Sequence, residues 1–190
     1  MRNLILVVSI LLGVLTGIVV SALVNPFLFR KASQLHQLIP AHQYALPARL
    51  LIPRLRIDSA VEAVAQDKDG AMDVPKNEWN VGWYSLGTRP GETGSAVIAG
   101  HLDTAVGPAI FYRISSLQPD DVVEVIDIKG RQTKFRVTSI KVHPYTSFPI
   151  NEVFGKTGGS FLNLITCTGA FDQNTKRYSD RIVVYTQKMN

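Results

Sequence analysis

Residues 161–169 read Phe-Leu-Asn-Leu-Ile-Thr-Cys-Thr-Gly, a short apolar run that ends on the chain's single cysteine and opens into a glycine. The same texture extends outward from it. From about Ala48 to the end, short apolar runs are divided by clusters of Gly, Pro, Asn and Asp. Strands are predicted over Arg49–Ile57, Ala60–Val64, Ser95–Ala99, Val122–Asp127, Lys134–Val142, Phe161–Thr166 and Ile182–Thr186, where β-branched residues dominate. Helical signals are confined to short stretches at Tyr112–Leu117 and Asn151–Phe154. There is no internal repeat, no Gly-rich phosphate loop and no alternating strand-helix period. Seven or eight strands in roughly 140 residues imply a mainly β fold, a closed β-barrel or a sandwich. Turns such as Lys129-Gly130 mark hairpins, so the sheet is expected to be mostly antiparallel or mixed.

The N-terminal end is of another kind. Residues 4–24, LILVVSILLGVLTGIVVSALV, carry no charge. At about 1.5 Å per residue they make a helix of roughly 30 Å, enough to cross a hydrocarbon core once. Val20-Ser21-Ala22 has the small-residue spacing of a signal-peptidase site. The apolar run nevertheless exceeds the ~7–15 residues of a signal peptide's core, which favours an uncleaved anchor. Arg2 and the amino terminus precede the segment, and Arg30 and Lys31 follow at a greater distance. The immediate flank favours an N-terminus inside and a domain outside. The chain therefore divides into an anchor (1–25), a Pro-containing linker or stalk (26–47) and a folded domain (48–190).

Charge follows the same division. Residues 1–57 hold six basic residues (Arg2, Arg30, Lys31, Arg49, Arg54 and Arg56) and no acidic one; the remaining residues hold 14 basic and 15 acidic. The net charge of +5 thus belongs to the N-terminal stretch, and the folded part is nearly neutral. A nucleic-acid binder needs a basic surface on its folded part, so that class is excluded.

One cysteine excludes an internal disulfide framework and a thiolate cage for zinc. In a cytosolic protein a lone Cys is most simply a small buried hydrophobe. In an exported domain an unpaired thiol is a liability unless it is used. A thiol is only slightly ionised at neutral pH and needs a basic or cationic neighbour to act as a nucleophile. Of the four histidines, His36 and His42 lie in the linker, and His143 precedes Pro144 at a strand end. His101 closes the apolar run Ser95–Gly100, as Cys167 closes its own. Arg181, before the last apolar strand, and Arg177, four residues earlier, are the candidate donors to a developing oxyanion.

Leu162-Asn163-Leu164-Ile165-Thr166-Cys167 resembles the sortase signature, in which a strand ending in Thr-Cys presents the nucleophile, and Ala99-Gly100-His101-Leu102-Asp103 resembles the sortase histidine motif. Gly82-Trp83-Tyr84, residues 90–97 (PGETGSAV), residues 107–111 (GPAIF) and Thr166–Gly169 with Phe171-Asp172 after it resemble the class F sortases. The resemblance runs from about Leu50 to Tyr185. Asn163 stands where the signature often has Thr, and Thr168-Gly169 replaces a common Gly-Gly.

The resemblance implies a closed barrel of about eight strands with short helices, membrane-anchored and extracellular. It implies Cys167 as nucleophile, His101 as acid/base and Arg181 as the third member, with Arg177 in reserve, and no metal or organic cofactor. The implied substrates are secreted proteins bearing a C-terminal sorting signal of the Leu-Pro-x-Thr-Gly type. A cell-wall precursor amine is the implied acceptor. The groove is expected to involve residues 143–160 and the loop 168–180. Trp79, Trp83 and Tyr84 are expected in the core or at its rim. Thr166, alternating to the face opposite Cys167, is expected to pack or orient.

Two other readings differ in what they require. An L,D-transpeptidase keeps its nucleophile in a compact His-Gly-Cys-x-Arg cluster, whereas His101 and Cys167 are 66 residues apart here. A non-catalytic binding barrel would have no reason to keep all three candidate residues.

Overall fold

The computed structural model describes residues 43–190, and those residues form one unit. The predicted anchor and the linker up to residue 42 lie outside the described residues. Among the described residues, no helix is long and apolar enough to cross a membrane.

Among the described residues there are ten strands: β1 (Pro47–Ile52), β2 (Ile57–Val64), β3 (Val81–Tyr84), β4 (Gly94–Gly100), β5 (Asp103–Thr104), β6 (Gly107–Pro108), β7 (Val122–Asp127), β8 (Gln132–Pro144), β9 (Ser160–Asp172) and β10 (Arg177–Lys188). Eight of them close a barrel in the order β1-β2-β3-β4-β9-β10-β8-β7, while β5 and β6 form a separate small hairpin. The expected barrel is therefore present, and a sandwich is not. The sheet is mixed: β2–β3 and β4–β9 run parallel, and the other barrel pairs are antiparallel. One 3-10 turn covers Ile114–Ser116, and a short helix, α1, covers Ile150–Phe154, near the two predicted helical stretches.

Alternation in β8 shows how sequence maps to faces. Thr133, Phe135 and Val137 are buried while Lys134, Arg136 and Thr138 are exposed, the signature of a strand wet on one side. β9 differs, being buried without interruption from Phe161 to Thr166. Leu162 and Leu164 point into the barrel with Ala96, Ile98, Phe135 and Val184. Ile165 points outward and packs with Val97, Val183 and Tyr185 against Val153 of α1. Val153 of α1 thus covers part of the outer face of β4, β9 and β10.

Three predicted boundaries are corrected. The strand expected over Arg49–Ile57 is broken by a 3-10 turn at Pro53–Leu55, followed by Arg56 at φ 56°. Pro53 has no N–H for a ladder and a fixed φ, so the chain reverses there. The two halves pair antiparallel, Ile52 beside Ile57. Second, β3 was not predicted, because a four-residue strand containing Gly82 has too little β-forming text. Its parallel pairing with β2 comes from the barrel's closure. Third, the loop expected over 168–180 is mostly strand, since β9 continues to Asp172 and β10 starts at Arg177. Only residues 173–176 turn between them.

Candidate active site

Cys167 and Arg181 are partners in the β9–β10 ladder, directly opposite each other. In antiparallel strands opposite residues share a face. The next outward pairs along the same face are Val183 with Ile165 and Tyr185 with Asn163. Cys167 therefore stands on the outer face of the barrel, just past the part that α1 covers. Its half-buried position follows from that edge.

On the other side of β9 runs β4, parallel and in register, with Ala99 beside Ile165 and Val97 beside Asn163. Alternation along β4 carries the same face from Val97 and Ala99 to His101, the first residue after the strand. His101 thus leaves the end of β4 beside Cys167, which lies within the longer, parallel β9. A hydrogen bond from Thr166 Oγ1 to the Gly100 carbonyl, 2.7 Å, ties the end of β4 to β9 next to Cys167. Thr166 faces inward and is buried, as its alternation with Cys167 requires. Gly100 lies so close to the Phe111 ring that a Cβ there would come within 2.5 Å of it. The His101 carbonyl accepts the Phe111 N–H at 2.9 Å. The backbone beneath the imidazole is held from three directions.

Arg181 keeps its guanidinium near the site through Nη1, which donates to the carbonyls of Asp180 (2.9 Å) and Tyr178 (3.2 Å), and its plane lies 4.8 Å from the centre of the Tyr145 ring. Arg177 pairs with Asp172 at the far end of the hairpin. It is exposed and donates to the Tyr145 hydroxyl at 3.1 Å. The ladder brings Arg181, and not Arg177, opposite the cysteine. Between Tyr178 and Asp180 the register shifts, and Gly169 on the facing strand adopts φ 84°, where a Cβ would strike Ser179 and Asp180. A bulge of this kind turns the strand beyond the site and re-aims its side chains.

Two further residues join the site without having been singled out as candidates. Tyr178 Oη donates to Asp103 Oδ2 at 2.5 Å, so the segment following His101 is strapped to β10. The bond to Asp103, with burial and the nearby negative groups, pushes the Tyr178 phenol up to about 12. Asp103 lay inside the quoted histidine motif, but nothing in the sequence marked Tyr178 as its partner. Burial pushes the Cys167 thiol up, the Arg181 charge pulls it down and the Asp103 charge adds to the rise. Burial prevails, so the sulfur is harder to ionise than a free thiol.

His143 is not brought to this cluster; its Nε2 meets Tyr185 Oη at 3.1 Å. Trp83 is core, Tyr84 is half-buried and Trp79 is exposed. The segment 143–160 holds a 3-10 turn at Tyr145–Ser147 and α1, and it contributes Tyr145 to the arginines.

The described residues thus place a thiol within β9, a guanidinium opposite it within β10 and an imidazole just past the end of the neighbouring β4. The sortase domain model matches residues 50–189. Among solved structures, the chain is similar to sortase C-1 of Actinomyces oris (TM-score 0.60, 21% identity, 75% of this chain and 73% of that one). It is likewise similar to sortase A of Corynebacterium diphtheriae (TM-score 0.60, 20% identity, 80% and 63%). Sortase C of Clostridium perfringens matches with a TM-score of 0.56 at 20% identity, over 78% and 72%. No curated protein sequence matches the chain. At such identities the structures speak for the barrel, while the domain match spans most of the chain and includes His101, Cys167 and Arg181: the chain belongs to the sortases, a family of cysteine transpeptidases.

Proposed function

We propose that the protein is a membrane-anchored class F sortase that cleaves a Leu-Pro-x-Thr-Gly-type signal between Thr and Gly and transfers the released acyl group to a cell-wall amine. The observation that carries the reading is the placement of Arg181 opposite Cys167, with His101 just past the end of the adjacent parallel strand. The class assignment is supported by the motifs at 82–84, 90–97, 107–111 and 166–172.

Cys167 Sγ attacks the Thr carbonyl carbon, and negative charge develops on the carbonyl oxygen. Arg181 donates to that oxygen and holds the substrate. The carbon–nitrogen bond to Gly then breaks, His101 delivers a proton to the departing amine, and a thioester remains on Cys167. The acceptor amine attacks the thioester, loses its proton to His101 and expels the sulfur. Dividing one exchange into two steps keeps the acyl group activated until the acceptor arrives. Burial makes the Cys167 thiol harder to ionise, so its proton leaves before or during attack, and His101 serves as the base that takes it.

The uncharged stretch 4–24 supports a single anchor, N-terminus inside, with the catalytic domain extracellular. Incubating the protein with a Leu-Pro-x-Thr-Gly peptide and an amine panel tests the reaction. The expected products are the Thr–amine conjugate, free Gly-peptide and an acyl-enzyme whose added mass maps to Cys167. Absence of all three would overturn the reading. Protease added to intact cells is expected to remove the domain; protection of the domain would reverse the topology.

A further inference from the structure

The Pro75–Lys76 peptide group lies between a histidine and a carboxylate. His101 Nε2 is 3.0 Å from the Pro75 carbonyl oxygen. A carbonyl only accepts, so this nitrogen carries the hydrogen, and Nδ1 is the ring atom left free for chemistry. At the other end of the same peptide plane, the Lys76 N–H donates to Glu62 Oε2 at 2.9 Å. The described residues contain no cis peptide. In a trans peptide the C=O and N–H point in opposite directions, so Glu62, the peptide and His101 form one line of hydrogen bonds.

Glu62 is built for this position. It sits on β2 beside Gly82 of β3. Its Oε1 also accepts from Asn80 Nδ2 at 2.8 Å and from the Asn77 N–H at 3.4 Å. These donors, led by Asn80, hold its carboxyl below the usual range, so it is ionised at neutral pH. Gly82 provides the room, since a Cβ there would come within 3.2 Å of Pro75 Cδ. Pro75 is buried between exposed neighbours.

We propose that Glu62 is a positioning residue for His101, acting through the Pro75–Lys76 peptide as a carboxylate–peptide–imidazole relay. A charged acceptor on the N–H polarises the peptide and makes its carbonyl a stronger acceptor. The relay holds the ring plane and keeps the hydrogen on Nε2, leaving Nδ1 to exchange protons with the thiol and the departing amine. It does for this histidine what a directly bonded carboxylate does in a Ser-His-Asp site. The charged groups facing the line are Lys76 beside Glu62, and Asp103 and Arg181 on the Cys167 side. This inference rests on the assignment of His101 as acid/base.

The test uses the full chain in detergent micelles, with 15N-labelled histidine and the Leu-Pro-x-Thr-Gly peptide. In the wild type a slowly exchanging Nε2–H signal of His101 is expected downfield. In Glu62→Gln it is expected to move upfield, with kcat reduced roughly 10- to 100-fold, the range for outer carboxylates that orient histidine ligands, and KM unchanged. Glu62→Asp is expected to restore part of both. A wild type lacking the signal, or a Glu62→Gln protein with the signal unmoved, overturns the relay. So does a loss carried wholly by KM. A signal that shifts as expected in a protein that cleaves no such peptide supports the relay and overturns the substrate reading instead.

Discussion

Arg181 faces Cys167 across the β9–β10 ladder, and its guanidinium is steered by the Tyr178 and Asp180 carbonyls at the bulge one step further on. That pairing is a property of register: a slip of one residue would send one of the two side chains into the barrel.

Arg181→Ala is therefore expected to reduce kcat/KM for peptide cleavage by about 10²-fold or more, as for the loss of an oxyanion donor. Arg177→Ala, at the far end of the hairpin, is expected to cost much less. Steady-state kinetics on the two variants decide it, and a larger loss from Arg177→Ala would reassign the role.

The charges beside the thiol can be separated by sign. Asp103→Asn removes a negative charge that favours the protonated sulfur, so the thiol should ionise at lower pH and react faster with iodoacetamide at neutral pH. Arg181→Gln should shift the alkylation profile the other way. In Asp103→Asn the Tyr178 phenol, pushed up to about 12 by its bond to Asp103, should titrate lower in ultraviolet absorbance. An unchanged phenolate titration would show that the bond is not made in solution.

Thr166→Val preserves shape but deletes the donor to the Gly100 carbonyl inside the barrel. Loss of this buried hydrogen bond should cost about 0.5–1.5 kcal/mol in chemical denaturation. Because this bond ties the end of β4, beside His101, to β9, beside Cys167, kcat should fall with little change in KM. Gly100→Ala, which drives a Cβ against the Phe111 ring, should be the more destabilising of the two.

Asp127 closes the β7–β8 hairpin. It accepts from the N–H groups of Lys129 (2.9 Å) and Arg131 (3.0 Å) and from the Arg131 guanidinium. Burial alone would raise its carboxyl, but these donors outweigh it and hold the carboxyl below its ordinary value. A depressed folded value means that its contribution is present above the unfolded carboxylate range and is lost as pH falls through the folded value. Asp127→Asn should cost about 1–3 kcal/mol at neutral pH, or roughly 2–4 °C in Tm per kcal/mol. The gap from wild type should narrow below about pH 4. A gap independent of pH would remove the charge from the explanation.

Legibility differed with the range of the interaction. The runs 161–166 and 95–100 announce themselves as strands because burial on both faces demands mostly apolar text, with Asn163, Thr166 and Ser95 the polar exceptions, and each run leads into a candidate residue, Cys167 or His101. The lone thiol, the near-neutral domain and the turn at Lys129-Gly130 are likewise local matters that the chain states by composition. The tertiary structure alone decided what faces what. That Arg181, and not Arg177, lies opposite Cys167 is set by β9–β10 register. The proximity of residues 101 and 167 comes from a parallel β4–β9 pairing across 66 positions, and β3 exists because β2 and β4 leave it a place. The line from Glu62 through Pro75 to His101 joins three segments whose spacing in sequence carries no period. Local propensity and burial are written residue by residue, whereas a pairing between distant strands is a choice among many registers that only the closed, packed barrel makes.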